Sequence, residues 1–323
     1  MYKPTNHQIW SGRIDGTELN ELRWHQYVQC LDLNKVDLPK SLNKDIVIIG
    51  FCCDEGVRRN NGRLGAKKAP DLIRKYCSNF PVLNTDVKIY DIGSVHCNDL
   101  NLDRSFTTLS KIVSDVVSKN YFPIVLGGGH EVTYGVFKGL KGHLNHNSFG
   151  LINFDAHFDL REINPMIGST SGTSIYKINK KLQQVHKKLD YLPIGIQTES
   201  NTKKLFEAFR TLNCNLILQE DFNPLNDVEV NKTVNCFLNN NEQIHLTVDL
   251  DVFNASFASG VSAPNSWGIN PDWYFKKRLK QIIKSNRITS FDIAEANPEY
   301  DVEFKTMKLS ASIVFEVVRY LTT

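Results

Sequence analysis

Short, largely apolar runs that end in glycine or acidic residues recur along this chain of 323 residues. They read DIVIIGF at 45–51, FPIVL at 122–126, LINF at 151–154 and IHLTV at 244–248. Such runs, with little polar alternation, are typical of parallel strands, which are covered on both faces. Helical patterns separate the runs, which predicts an α/β fold: a single three-layer α/β/α domain with a mainly parallel central sheet.

The remaining pattern completes this prediction. Further strands are predicted at 87–92, 191–196, 215–218 and 288–291, and helices near 18–31, 69–76, 105–119, 132–140, 203–212, 228–238, 273–285 and 307–321. Residues 52–66 and 159–173 are rich in polar residues and glycine, and we interpret them as loops. We divide the chain into an N-terminal arm, 1–44, and a larger α/β domain, 45–323.

Composition and charge exclude several classes of partner. Lys and Arg number 38 and Asp and Glu 35, so the net charge is only +3, and we find no basic run of the kind that binds nucleic acid. No apolar run approaches the roughly 18 residues of a membrane span, and the first residues lack the apolar core of a signal peptide. Seven cysteines without a CxxC pair fit thiols in a reducing compartment. We expect a cytoplasmic protein that binds a small molecule, with no nucleic-acid or membrane partner.

The run at 151–154 leads into Asp155, His157 and Asp159, which are spaced two apart. If the chain stays extended, these three side chains share one face. Crowding two carboxylates and an imidazole is costly unless a cation lies among them, so the stretch is a candidate metal site. The alternative is that these residues only cap a following helix.

Three other strand ends supply residues of the same kind. His130 follows the strand at 122–126, Asp249 and Asp251 end the strand at 244–248, and Glu295 follows the strand at 288–291. Because ligands of parallel α/β sheets bind at the carboxyl ends of the strands, these groups are predicted to converge on one rim.

The charge of this set indicates which cations it would hold. Four aspartates bring four negative charges and two histidines are neutral ligands, so two divalent cations balance the set. Carboxylate and imidazole without thiolate suit Mn(II) better than structural zinc. The predicted metal ligands are His130, Asp155, His157, Asp159, Asp249 and Asp251.

Three segments together resemble the metal motifs of the ureohydrolase family, which includes arginases and agmatinases. They are GGGHE at 127–131, NFDAHFD at 153–159 and TVDLDVF at 247–253, in the family's order. The resemblance extends over about residues 45–320 and implies an arginase-like fold, two Mn²⁺ ions per chain and a homo-oligomer. It also implies that Asp155 and Asp249 bridge the two metals.

The resemblance implies roles for two acids. Glu295, in FDIAEANP, matches the family acid that receives the guanidinium or amidinium of the substrate. Asp159 is the expected proton acceptor beside the metal-activated water. We therefore predict Asp159 and Glu295 as catalytic residues.

Within the family, the details are most similar to the branch that hydrolyses N-formimidoyl-L-glutamate to glutamate and formamide in histidine degradation. Gly129 stands where arginases and agmatinases usually have Asp, and STSGTSI at 169–175 lacks their loop histidine. Ser174 and Ser259 stand where we would expect proline. The substrate carries two carboxylates, and the predicted substrate-binding residues are Arg58, Arg59, Arg63, Ser171, Gly172 and Thr173.

Three alternatives stay open at this point. The first is an agmatinase or another guanidino or amidino hydrolase of the same family. The second is a single-zinc deacetylase, for which His130, Asp159 and Asp251 would be superfluous. The third is a non-catalytic binding protein on this fold, which would be expected to have lost metal ligands.

Overall fold

The computed structural model describes residues 1–144 and 148–323. The strands in these residues are β1 Tyr2–Lys3, β2 Gln29–Cys30, β3 Ile46–Cys52, β4 Ile89–His96, β5 Phe122–Leu126, β6 Ser148–Phe154, β7 Lys188–Ile196, β8 Ile217–Leu218, β9 Ile244–Asp249 and β10 Ile288–Ala294. The α-helices are α1 Trp24–Tyr27, α2 Glu55–Arg59, α3 Ala69–Cys77, α4 Leu102–Ser118, α5 Val132–Leu140, α6 Ser174–Gln183, α7 Lys203–Arg210, α8 Asp227–Asn240, α9 Trp273–Ile283 and α10 Lys305–Thr322.

All of these strands belong to one sheet, in the order β1-β4-β3-β5-β10-β9-β6-β7-β8, with β2 also paired to β4. Every pairing except that of β1 with β4 is parallel. The order places β5, β10, β9 and β6 side by side at the centre. The four strands whose ends carry the predicted site residues are therefore neighbours, and the predicted α/β fold is confirmed.

The hydrophobic core forms two layers, one on each face of the sheet. Alternation along β3 shows the division, since Ile46 and Ile48 pack on one side while Val47 and Ile49 pack on the other. Helices α3, α8, α9 and α10 cover the first face, and α4, α5, α6 and α7 cover the second. In the described parts of the chain, no helix combines the length and apolarity needed to cross a membrane.

The N-terminal arm extends the sheet, a contribution that the sequence pattern did not predict. Residues of β2 pair with Tyr90 and Asp91 on β4, and residues of β1 pair with Ser94 and Val95 further along the same strand. The helix predicted near 18–31 is only the single turn of α1. The arm is held by hydrogen bonds to the rest of the chain more than by helix formation of its own.

Two helices lie where no helix was predicted, and each has a local cause. Helix α2 interrupts the predicted loop 52–66, and there Glu55 pairs with Arg58 and Arg59 at spacings of three and four. Helix α6 follows the predicted loop 159–173, and Ile175, Ile178 and Leu182 form its buried stripe.

A buried ion pair joins β4, α3 and the N-terminal arm. The guanidinium of Arg74 donates to both carboxylate oxygens of Asp91, at 2.7 and 3.0 Å, and both side chains are fully buried. Trp10 Nε1 and Thr5 Oγ1 donate to the same carboxylate at 2.7 and 2.8 Å. Asp91 is thus the acceptor that holds the arm onto the domain.

We predict that Asp91→Ala lowers the free energy of unfolding by about 3–5 kcal/mol, because Arg74 would remain buried without its partner. Urea denaturation measures this change. Asp99→Ala is the control, since its carboxylate pairs with Arg104 at the surface, at 2.7 Å, and should contribute little. Equal losses in the two variants would contradict this account of the ion pair.

Candidate active site

A cavity of about 270 Å³ opens at the carboxyl ends of the central strands. The loops after β5, β6, β9 and β10 bring their polar side chains to it, as the parallel order of these strands requires. The predicted metal ligands and acid among the lining residues are His130, His157, Asp159, Asp249, Asp251 and Glu295. Asp155 lies directly beneath them and is fully buried.

The first cluster surrounds the Nδ1 atom of His130. This atom lies 3.1 Å from Asp155 Oδ2, 2.8 Å from Asp159 Oδ2 and 3.2 Å from Asp249 Oδ2. Despite these distances, His130 Nδ1 and Asp159 Oδ2 have no hydrogen-bond partner. Separations of about 3 Å without hydrogen-bond alignment are those of neighbouring ligands around one small divalent cation.

The second cluster surrounds His157, whose Nδ1 lies 3.5 Å from Asp155 Oδ1 and 3.0 Å from Asp251 Oδ2. Asp155 therefore presents Oδ2 to the first cluster and Oδ1 to the second. One carboxylate shared in this way is suited to bridging two cations.

Tight turns, rather than a continued strand, bring these ligands together. Strand β6 ends at Phe154, so the extended conformation, under which these side chains would share one face, does not persist through Asp159. The N–H of His157 donates to Asp155 Oδ1 at 2.6 Å, and the N–H of Asp251 donates to Asp249 Oδ1 at 2.9 Å. Aspartate commonly makes such bonds to the backbone two residues on, and this turn explains why both motifs begin with Asp-x.

Electrostatics also indicate a cation site. Burial disfavours the charged imidazole, yet Asp249 and then the other nearby carboxylates raise the pKa of His130 well above its ordinary value. Burial also disfavours the charged form of His157, but Asp251 and then Asp155 outweigh this effect and raise the pKa of His157 well above its ordinary value. Burial, Asp251 and Asp155 raise the pKa of Asp249. These shifts favour the protonated forms, which reduce the crowded negative charge, and the residues fit divalent cations, which would reduce it in the same way.

A buried polar chain behind His130 fixes its orientation, and sequence reasoning missed it. His130 Nε2 lies 3.1 Å from Thr247 Oγ1, and Thr247 donates to Asp292. His245 Nε2 lies 2.7 Å from the other oxygen of Asp292. Ser174, one of the two unexpected serines, donates its hydroxyl to the carbonyl oxygen of His130 at 3.0 Å. Such outer contacts orient a metal ligand and set its tautomer.

Glu295 lies at the cavity wall with one oxygen free. Its Oε1 accepts the N–H of His130 at 2.9 Å, while Oε2 is buried and has no partner. Burial, and then the nearby Glu131 carboxylate, raise the pKa of Glu295 well above its usual range. The residue has a left-handed backbone, with φ +65°, as does Asp159 at +51°. Strained backbone of this kind is often found at functional positions.

The three arginines proposed from the sequence do not line the cavity. Arg58 and Arg59 both bind Glu55, with Nε atoms 2.7 Å from its carboxylate oxygens. They face a separate groove that includes Met166. The Arg63 guanidinium lies over the ring of Tyr300, 5.1 Å from its centroid.

Among the described residues, Arg161 is the arginine that lines the cavity, and sequence reasoning missed it. Its Nη1 donates to Asn60 Oδ1 at 3.2 Å, and Asn60 Nδ2 donates to Ser171 Oγ at 3.2 Å. Ser171 and Gly172 also line the cavity, whereas the Thr173 hydroxyl bonds to the backbone of residue 170. Arg161 follows Asp159 by two residues, and this closeness in sequence to the predicted metal ligands was the available signal that it lines the site.

Comparison with known proteins identifies the family. The arginase family model matches residues 44–319, and the chain belongs to the arginase family. A formimidoylglutamase of Clostridium tetani is 39% identical over 98% of this chain and 95% of its own length. The resemblance found in the sequence is thereby confirmed.

Two solved structures show the same fold. A formimidoylglutamase from Bacillus subtilis superposes with a TM-score of 0.80 at 18% identity, over 97% of this chain and 94% of that one. A formiminoglutamase from Trypanosoma cruzi, solved with manganese, superposes with a TM-score of 0.75 at 22% identity, over 88% of this chain and 96% of that one.

We predict that Asp155→Asn lowers bound metal from two ions per chain to less than one, because this carboxylate faces both clusters. Elemental analysis after manganese loading and desalting measures the stoichiometry. Asp45→Asn is the matched control. Asp45 is also buried, but it directly precedes the first residue of β3, at the end of the sheet away from the cavity, and its carboxylate accepts a hydrogen bond from Ser41. If Asp155→Asn retained two ions, or the unchanged protein bound one, the two-metal site would be disproved.

Proposed function

We propose that this chain hydrolyses N-formimidoyl-L-glutamate to L-glutamate and formamide. The proposal is supported by full-length relatives that are formimidoylglutamases, such as that of Clostridium tetani. The observation that carries it is the distribution of charge in the cavity, whose lining combines buried acids with the exposed guanidinium of Arg161. A substrate with a cationic amidine at one end and carboxylates at the other matches this arrangement.

We propose that the catalytic centre uses two Mn²⁺ ions. His130, Asp155, Asp159 and Asp249 would hold one ion, and Asp155, His157, Asp249 and Asp251 the other. When bound, the two ions lower the pKa of a water molecule, so that hydroxide is available near neutral pH. The manganese in the Trypanosoma cruzi structure and the absence of thiolate from this ligand set support the choice of metal.

The protein residues orient the substrate and move the proton. The free Oε2 of Glu295 accepts an N–H of the amidinium, and the opposite charges favour this pairing. Glu295 Oε1 stays bound to the N–H of His130, so the acid is fixed relative to residues 127–131, the loop that carries His130 and that we call the metal loop. Asp159 would accept the proton released during attack on the amidine carbon, and the departing glutamate nitrogen would receive a proton in return.

In this proposal, Arg161 favours formimidoylglutamate over other substrates of the family. Its guanidinium has Asn60 as a neutral partner, whereas Arg58 and Arg59 share the Glu55 carboxylate and face a separate groove. A substrate carboxylate would therefore gain a charge-assisted contact at Arg161. Agmatine has no carboxylate and would gain no such contact at Arg161, which disfavours the agmatinase alternative.

We predict that Glu295→Gln lowers kcat by at least about a hundredfold, or roughly 2.7 kcal/mol, because an amide replaces the charge opposite the amidinium. Glutamine keeps an oxygen for the N–H of His130, so both metals should stay bound. Steady-state kinetics with metal analysis measure the two effects. Glu299→Gln, which removes an exposed acid four residues on, should have no effect, and near-normal turnover of Glu295→Gln would exclude this role.

We predict that the enzyme prefers N-formimidoyl-L-glutamate over agmatine and arginine by at least about a hundredfold in kcat/KM. Arg161→Met should raise KM for formimidoylglutamate and shrink this ratio, because the carboxylate contact is lost. Arg58→Met is the matched control and should change neither value. Comparable hydrolysis of agmatine by the unchanged enzyme would favour the alternative function. A KM effect of Arg58→Met equal to that of Arg161→Met would return the recognition role to the 58–63 segment.

A further inference from the structure

Glu131 directly follows His130, is fully buried, and has no role in the proposed mechanism beyond its effect on the pKa of Glu295. Its Oε1 accepts the N–H of Gly56, in the first turn of α2, at 2.8 Å. Its Oε2 is buried and has no hydrogen-bond partner. A buried carboxylate is costly, so its retention beside the metal loop calls for a specific role.

The carboxylate of Glu131 fills the space between the glycines of the metal loop and helix α2. A Cβ atom on Gly129 would lie 2.1 Å from Glu131 Oε2, and a Cβ atom on Gly56 would lie 2.5 Å from the same oxygen. Both separations are too short for real contacts. The two glycines therefore leave room for this carboxylate, and it fixes the position of α2 relative to the loop that carries His130.

Helix α2 leads from Glu131 to the arginine at the mouth of the cavity. The N–H of Asn60, just after the helix, donates to the carbonyl oxygen of Gly56 at 3.0 Å. The Asn60 side chain accepts from Arg161 Nη1 at 3.2 Å and donates to Ser171 at 3.2 Å. A continuous series of hydrogen bonds thus joins Glu131, Gly56, Asn60 and Arg161.

We propose that Glu131 is a positioning residue for substrate recognition, which holds α2 so that Asn60 aims Arg161 into the cavity. The distance between the metal loop and Arg161 is then fixed. This distance selects substrates whose amidine and carboxylate groups are separated by a matching length. This inference rests on the proposed function, in that Arg161 is taken to bind a substrate carboxylate.

The first test compares Glu131→Ala with Glu131→Gln in the manganese-loaded enzyme. Glu131→Ala should raise KM for formimidoylglutamate about tenfold, with kcat within about twofold and two metals retained. Glu131→Gln should restore KM to near the wild-type value, because its amide oxygen still accepts the N–H of Gly56. A loss of metal or of kcat without a change in KM would show that Glu131 serves the metal loop instead, and would overturn the proposal.

A second variant disturbs the same contact from the α2 side. Gly56→Ala places a methyl group against the Glu131 carboxylate and should also raise KM with little change in kcat. Gly142→Ala is the control, because a Cβ atom there meets nothing within 4 Å. If Gly56→Ala left KM unchanged, the position of α2 would not govern substrate recognition. This test decides the matter even if Glu131→Ala fails to fold.

The double variant Glu131→Ala/Arg161→Met separates failure of this inference from failure of the proposed function. If Glu131 acts through Arg161, its replacement should raise KM no further once Arg161 is absent. Independent, multiplying effects on KM would overturn the positioning role. If Arg161→Met alone left KM unchanged, the carboxylate-binding role of Arg161 would fail first, and the premise of the inference would fail with it.

Discussion

Mutual repulsion among four buried carboxylates is the constraint on which this site depends. Asp155, Asp159, Asp249 and Asp251 lie within one cavity floor, where burial strengthens every charge interaction. Adjacent parallel strands deliver them there, so the sheet order that forms the core also enforces the crowding. Two imidazoles and, in our proposal, two divalent cations make this arrangement stable, and the outer contacts of His130 hold the ligands in place.

The glycine at position 129 gains a physical explanation from the same loop. A Cβ atom at position 129 would lie 2.1 Å from Glu131 Oε2, so a side chain there would require the buried carboxylate to move. The sequence difference from arginases and agmatinases, which usually have Asp at that position, therefore accompanies a second acid two residues later. The two positions should be considered together when relatives are compared.

The strands, and the clustering of the residues predicted to bind metal, were predictable because each depends on local sequence. Apolar runs mark the strands, and Asp-x-His and Asp-x-Asp mark turns whose geometry is set within three residues. The pairing of Arg58 with Glu55 was not predicted, because it depends on helix α2, which brings residues three apart together and which the interpretation of 52–66 as a loop left out. The partners of His130 on β9 and β10 depend on strand neighbours, and a single sequence does not give the order of strands.

The covering of β4 by the N-terminal arm has a consequence for association between molecules. β2 pairs along the first half of the outer edge of β4 and β1 along the second, while β8 at the opposite edge contributes only two residues. Exposed edges of long strands are the usual templates for adding a strand from another chain, and short edge strands resist this. Copies of this protein that associate are therefore not expected to pair through the edge of β4, which the arm already occupies.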